Sequence, residues 1–128
     1  VVAEKSDVKG SVPVTKSVAS QIVGMAKYWS EFGGRVRDFE SDGEGESAIY
    51  GSGFYGTFIC VNLNNTQNVT CFIDENPHRQ KQDLLDKPIL PPEALPATVE
   101  RLYVGLNPRM AQIELAAVDL PDVEVFFP

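Results

Sequence analysis

Two cysteines, each inside a strand-like run and separated by a polar turn, constrain this chain more than any other feature. Phe58-Ile59-Cys60-Val61-Asn62-Leu63 and Asn68-Val69-Thr70-Cys71-Phe72-Ile73 are rich in β-branched and aromatic residues and flank Asn64-Asn65-Thr66-Gln67. Folding about Asn65-Thr66 sets Val61 opposite Thr70, Asn62 opposite Val69 and Cys60 opposite Cys71. Opposed residues in a non-hydrogen-bonded antiparallel pair have Cα atoms about 4.5 Å apart, a span that a disulfide bridges. The expectation is a β-hairpin closed by a disulfide between Cys60 and Cys71. The alternative is a pair of buried reduced thiols on one face of a sheet.

A structural disulfide implies an oxidising compartment. Asn64-Asn65-Thr66 and Asn68-Val69-Thr70 are both glycosylation sequons, which makes Asn64 and Asn68 candidate sites on the exposed turn. Together these features predict a secreted, cell-surface or periplasmic glycoprotein.

The 128 residues suit one domain, 43% hydrophobic and 23% charged. Eleven basic residues against 18 acidic ones give a net charge of −7, which repels polyanions and predicts no nucleic-acid partner. No run of 18 apolar residues is present, so no membrane span is expected.

Residues 1–14, with Gly10 and Pro13, read as an extended N-terminal arm, and residues 15–128 as a single globular domain. Val18, Ile22, Met25, Trp29, Phe32, Val36 and Phe39 recur at spacings of three and four, the stripe of one long helix packed on a sheet. Strands are predicted at 48–50, 54–63 and 69–73. A proline-rich connection over 75–98 contains a short helix opened by Asn76-Pro77 and stopped by Pro88. Residues 99–106, 110–118 and 123–127 read as a C-terminal β-meander turning at Asn107-Pro108-Arg109 and Asp119-Leu120-Pro121-Asp122. The predicted class is α+β: a long N-terminal helix packed on an antiparallel β-sheet. This order resembles the soluble headgroups of type IV pilins in architecture, although Gly10 and Pro13 precede the helix where a pilin has its hydrophobic stalk.

Three motifs bear on chemistry. Asp38, Glu40 and Asp42 hold the first, third and fifth places and Gly43 the sixth, with an incoming predicted helix, as at the start of an EF-hand loop; with Glu44 they form a candidate calcium site. Ile49 stands where such a loop carries its bidentate Glu, and a solvated acidic turn is the competing reading. Gly51-Ser52-Gly53-Phe54-Tyr55-Gly56 fits G-x-G-x-x-G by letter. A dinucleotide fingerprint needs a helix after it, and a strand is predicted there, so the glycines are expected to form a bulge or tight turn. His78 is the single histidine, in a charged surface stretch, which leaves little for a triad or a zinc site. No catalytic residue and no cofactor other than calcium is expected.

The functional expectation is a non-enzymatic extracellular structural or adhesive protein, such as a pilus, fibre or surface-layer subunit, working through self-assembly or protein partners. The alternatives are a secreted binding module or effector recognising a protein, glycan or small ligand, and a small hydrolase using carboxylates.

Overall fold

The β-branched and aromatic run after Gly53 coils into a helix, and that one difference changes the fold class. The structure, a computed structural model, describes residues 16–128; the predicted 1–14 arm lies outside the described residues. The chain divides into two compact units, the first ending at Glu31 and the second comprising Phe32–Pro128.

Helix α1 (Lys16–Ser41) crosses that division. In its first-unit part the apolar stripe is exposed at Ile22 (57%) and Met25 (61%), where a packed face was expected. In its second-unit part Phe32 and Val36 are fully buried, and the Phe39 ring meets Tyr103 and Phe126 edge-on. The stripe is therefore core over its last turns alone.

In the second unit the order is β1 (Glu46–Tyr50), α2 (Phe54–Asn62), β2 (Val69–Ile73), β3 (Asp83–Leu84), β4 (Lys87–Leu90), β5 (Val99–Val104), α3 (Pro108–Ala116) and β6 (Glu124–Phe126). Six strands form one sheet in the order β3-β4-β2-β1-β5-β6. Every pairing is parallel except the β3–β4 hairpin. That hairpin turns on Leu85 and Asp86, both at positive φ (50° and 65°), as a two-residue type I′ turn demands. The predicted antiparallel sheet and C-terminal meander are thereby corrected to a mostly parallel α/β sheet. Parallel neighbours need crossovers, and α2 supplies the one from β1 to β2.

The helical state of Phe54–Asn62 follows from burial. Gly56, Ile59, Cys60 and Leu63 are buried at spacings of three, one and three, the pattern of one helical face, and this overrides the strand propensity of Thr57, Ile59 and Val61. Met110–Val118, read as a strand, is helical up to Ala116 for a local reason. Asn107 caps α3 by accepting from the Arg109 N–H at 2.9 Å, Pro108 occupies the first turn, and Ala111 and Leu115 are buried four apart.

The two helices cover opposite faces. Ala111 and Leu115 of α3 join Ala48, Tyr50, Cys71, Ile73, Leu102 and Val104 in one buried cluster. Gly56 of α2 lies instead against Ile49, on the other face of β1. The cysteines follow this division: Cys71 belongs to the α3-side cluster and Cys60 to the buried face of α2. The Cys60–Cys71 disulfide and its hairpin are corrected accordingly to two separate, buried, free thiols.

Three glycines meet backbone to backbone. A Cβ at Gly56 would stand 1.9 Å from the Gly51 carbonyl oxygen, and one at Gly105 would stand 2.5 Å from the Gly56 Cα. Gly51 also needs its freedom, with φ at 104°. Gly56→Ala is expected to cost about 3 kcal/mol in urea unfolding, because backbone rather than a movable side chain blocks the methyl; an unchanged midpoint would refute this packing. Unfolded in guanidinium without reductant, the chain should take up thiol reagent at both Cys60 and Cys71, whereas an oxidised pair would take up none.

Candidate functional site

The sheet reverses its winding between β1 and β5. The parallel strands β4, β2, β1, β5 and β6 are the third, second, first, fourth and fifth in the chain. The connections after β1 and β5 leave towards opposite faces, and a crevice opens at their carboxyl ends. A cleft of about 460 Å³ lies there, bordered by Tyr50, Gly51, Asp74, Glu75, Leu106 and Glu114.

The Gly51–Gly56 segment fills the turn from β1 into α2. Gly51 N–H donates to the Ile73 carbonyl at 2.6 Å, and Gly105 N–H to the Tyr50 carbonyl at 2.7 Å, which fixes the ends of β1, β2 and β5 side by side. Gly53 is the N-cap of α2 and brings no capping side chain. Its φ of −89° suits any residue, and a Cβ there would meet only the Arg79 Nη1, at 3.3 Å. Glycine at 53 thus keeps open the space between the positive end of a helix and a guanidinium.

Asp74 directly follows β2. Its carboxylate accepts from the Ser52 N–H at 3.1 Å, from the Ser52 hydroxyl in a short hydrogen bond and from the Asn76 N–H at 2.9 Å, and it faces Arg79 at 3.7 Å. Burial alone would raise its pKa, but the bonds from Ser52 and Asn76 with the charge of Arg79 outweigh it and hold the carboxyl below its ordinary value. Beside it, the buried Tyr50 hydroxyl donates to Glu75 at 2.6 Å; burial first, then this bond, push the phenol up.

The predicted site residues do not gather. Asp38 is exposed on the last turns of α1 and Asp42 and Glu44 are exposed beyond it. Glu40 spends both carboxylate oxygens on the Asn64 and Asn65 N–H groups, each at 2.9 Å. Among the described residues no group of three or more His, Cys, Asp or Glu stands together to hold a metal ion. Asn64 and Asn68 are exposed, on the loop from α2 to β2 rather than a hairpin tip. His78 is exposed in the β2–β3 connection.

The reading of Gly51–Gly56 as a bulge before a strand is corrected, since strand β1 precedes it and helix α2 opens on it. Sequence reasoning passed over Asp74 and Arg79. The signal for Asp74 was its place 23 positions after Gly51, where a dinucleotide fingerprint has its acidic residue.

No protein-family model matches the chain, and no curated protein matches it. Solved structures resemble it at low identity. One is RSP, a Rex-family repressor, at 18% identity and a TM-score of 0.46, covering 66% of this chain and 52% of that one. RSP in complex with β-NADH gives 18% and 0.47, covering 84% and 67%; RSP in complex with β-NAD+ and operator DNA gives 17% and 0.44, covering 71% and 54%. This chain spans about half the length of the first of these structures.

The expectation of a secreted, cell-surface or periplasmic pilus, fibre or adhesive subunit is overturned. The disulfide-closed hairpin that carried it does not exist, and a mostly parallel sheet stands where a pilin headgroup has an antiparallel one. The exclusion of nucleic acid rested on net charge alone and is withdrawn. Among the described residues no helix is long and apolar enough to cross a membrane.

The lowered pKa of Asp74 has a sign in stability. A carboxyl depressed by folding contributes stability that is present above its unfolded pKa, about 3.9, and lost as pH falls through its folded value. Asp74→Asn is expected to flatten the acid side of the stability profile measured by chemical unfolding; an acid limb identical to the parent's would contradict the hydrogen-bond network drawn around this carboxylate.

Proposed function

We propose that this chain is a nucleotide-binding module that takes a ribonucleoside diphosphate ligand of the NAD(H) type at the carboxyl edge of its parallel sheet. The observation that carries the reading is a G-x-G-x-x-G turn standing between a central parallel strand and a helix, at the point where the strand order reverses.

Each residue of the turn has a use in that reading. Gly51 makes the tight exit from β1 at positive φ, Gly53 lets a diphosphate approach the start of α2, and Gly56 lets α2 close onto the sheet. Asp74 would accept from a ribose hydroxyl. A carboxylate has about four acceptor positions, and bonds from the Ser52 N–H, the Ser52 hydroxyl and the Asn76 N–H use three of them. The same negative charge, with Glu75 beside it, disfavours a 2′-phosphate at that position.

The reading is of a binder rather than an enzyme. Gly105-Leu106-Asn107-Pro108 follows β5, on the side where the reactive end of a dinucleotide would lie, and the Asn107 side-chain oxygen is committed to capping α3.

Titration calorimetry with NADH, NADPH and ADP-ribose tests the proposal. NADH and ADP-ribose should bind at one site, with NADPH weaker by roughly tenfold or more, since a buried or partly buried like-charge contact costs above 1.4 kcal/mol. Gly53→Ala should fold with an unchanged melting temperature and lose most of the affinity. Absence of saturable binding for all three ligands at millimolar concentration would refute the reading.

A further inference from the structure

The connection from β2 to β4 contains no helix; in its place residues 75–82 form a turn beside the glycine loop. This turn is built from its own polar groups. The Asn76 side-chain oxygen accepts from the His78 N–H at 2.9 Å, and the Asn76 carbonyl accepts from the Arg79 N–H at 3.0 Å. The Gln80 amide donates to the Asp74 carbonyl at 2.8 Å, and Lys81, at φ 73°, donates its N–H to the Ile89 carbonyl. The backbone that carries Arg79 is therefore fixed from both ends.

Its guanidinium is placed but little used. It makes a hydrogen bond of 3.4 Å to the Ser52 hydroxyl and an ion pair of 3.7 Å with Asp74, and its side chain is 47% exposed. Five N–H donors are available on an arginine, in a planar fork that matches two phosphate oxygens. Among the described residues no basic one borders the adjoining cleft, whose acidic side chains include Asp74, Glu75 and Glu114. An anion entering so negative a setting needs a local cation, and Arg79 stands 3.3 Å from where a Gly53 side chain would begin.

We propose that Arg79 is the diphosphate clamp of this site, a specificity residue that closes over Gly53 from the helix-free connection while α2 faces the same ligand group with its N-terminus. The proposal rests on the nucleotide-binding reading above. In the free chain Arg79 leans on Asp74; with a diphosphate present it transfers to the phosphate oxygens, and Asp74, still held by Ser52 and Asn76, turns its remaining acceptor position to the ribose.

The test compares the parent chain with Arg79→Ala and Arg79→Lys, titrated with NADH, ADP-ribose and adenosine, the last followed by NMR in the millimolar range. Arg79→Ala should weaken NADH and ADP-ribose by roughly 10- to 100-fold, the loss expected for a charged hydrogen-bond donor. Adenosine binding should be unchanged, and the dependence of NADH affinity on salt should become shallower. Arg79→Lys should restore part of the loss, as a charge without the fork. Equal weakening of adenosine and NADH would show that Arg79 acts only by holding Asp74, and would overturn the clamp, as would NADH binding unaltered in Arg79→Ala. Failure of the parent chain to bind any of the three would instead bring down the nucleotide-binding reading on which the clamp depends. Melting temperatures of the variants, expected to match the parent because the side chain is half exposed, separate these outcomes from misfolding.

Discussion

The backbone-to-backbone contact of Gly51, Gly56 and Gly105 is the constraint on which the second unit depends. It brings the first turn of α2 against the ends of β1 and β5, so the middle of the sheet has no room for even a methyl group. With that contact in place, α2 lies along the Ile49 face and must return the chain parallel to β1; the register Ala48 to Cys71 and Tyr50 to Ile73 follows. Because α3 leaves β5 towards the other face, the same contact marks the floor of the crevice. Stability and site geometry are here one set of atoms.

The opposite edge of the sheet is tied down by charge. Arg101, 4% exposed, donates to Glu124 at 2.9 Å and to the carbonyls of Phe39 and Glu40 at the end of α1, with its guanidinium 3.9 Å from the Phe39 ring centroid. A buried cation is costly unless its donors are met, and carbonyls at a helix C-terminus, together with the Glu124 carboxylate, meet them. Glu40 answers from α1 by receiving Asn64 and Asn65. Of the acidic residues read from sequence as a calcium loop, Glu40 thus serves a structural end, joining the last turn of α1 to the α2–β2 loop.

Much of the site stood in the sequence, but in letters whose meaning depends on what surrounds them. The glycine pattern was visible, as was a strand before it at Ala48–Tyr50. The helix after it was hidden because Phe54, Tyr55, Thr57, Phe58, Ile59 and Val61 all favour strands, and a short apolar run in which both periodicities fit is decided by tertiary burial. Its helical spacing at Gly56, Ile59, Cys60 and Leu63 was the readable counter-signal. The near-continuous apolar runs Val69–Ile73 and Leu102–Val104 also suited strands buried on both faces, as in a parallel sheet. Once two cysteines could be drawn as partners across a hairpin, that geometry took precedence and carried the compartment with it. Arg79 had no signal of its own, since its position depends on a connection whose course only the pairing of β2 with β4 defines.

The β3–β4 hairpin has a consequence for how the sheet ends. A parallel sheet would otherwise present a full outer strand to any passing chain, and β4 is covered on that side by β3, two residues long, paired across Pro88 and Lys87. The outermost strand is then only Asp83 and Leu84, too short a stretch for another chain to pair along, and Asp83 adds a charge to it. Lateral growth therefore stops at this margin: the chain carries its own selvedge, woven from the same helix-free connection that holds Arg79 beside the glycine loop.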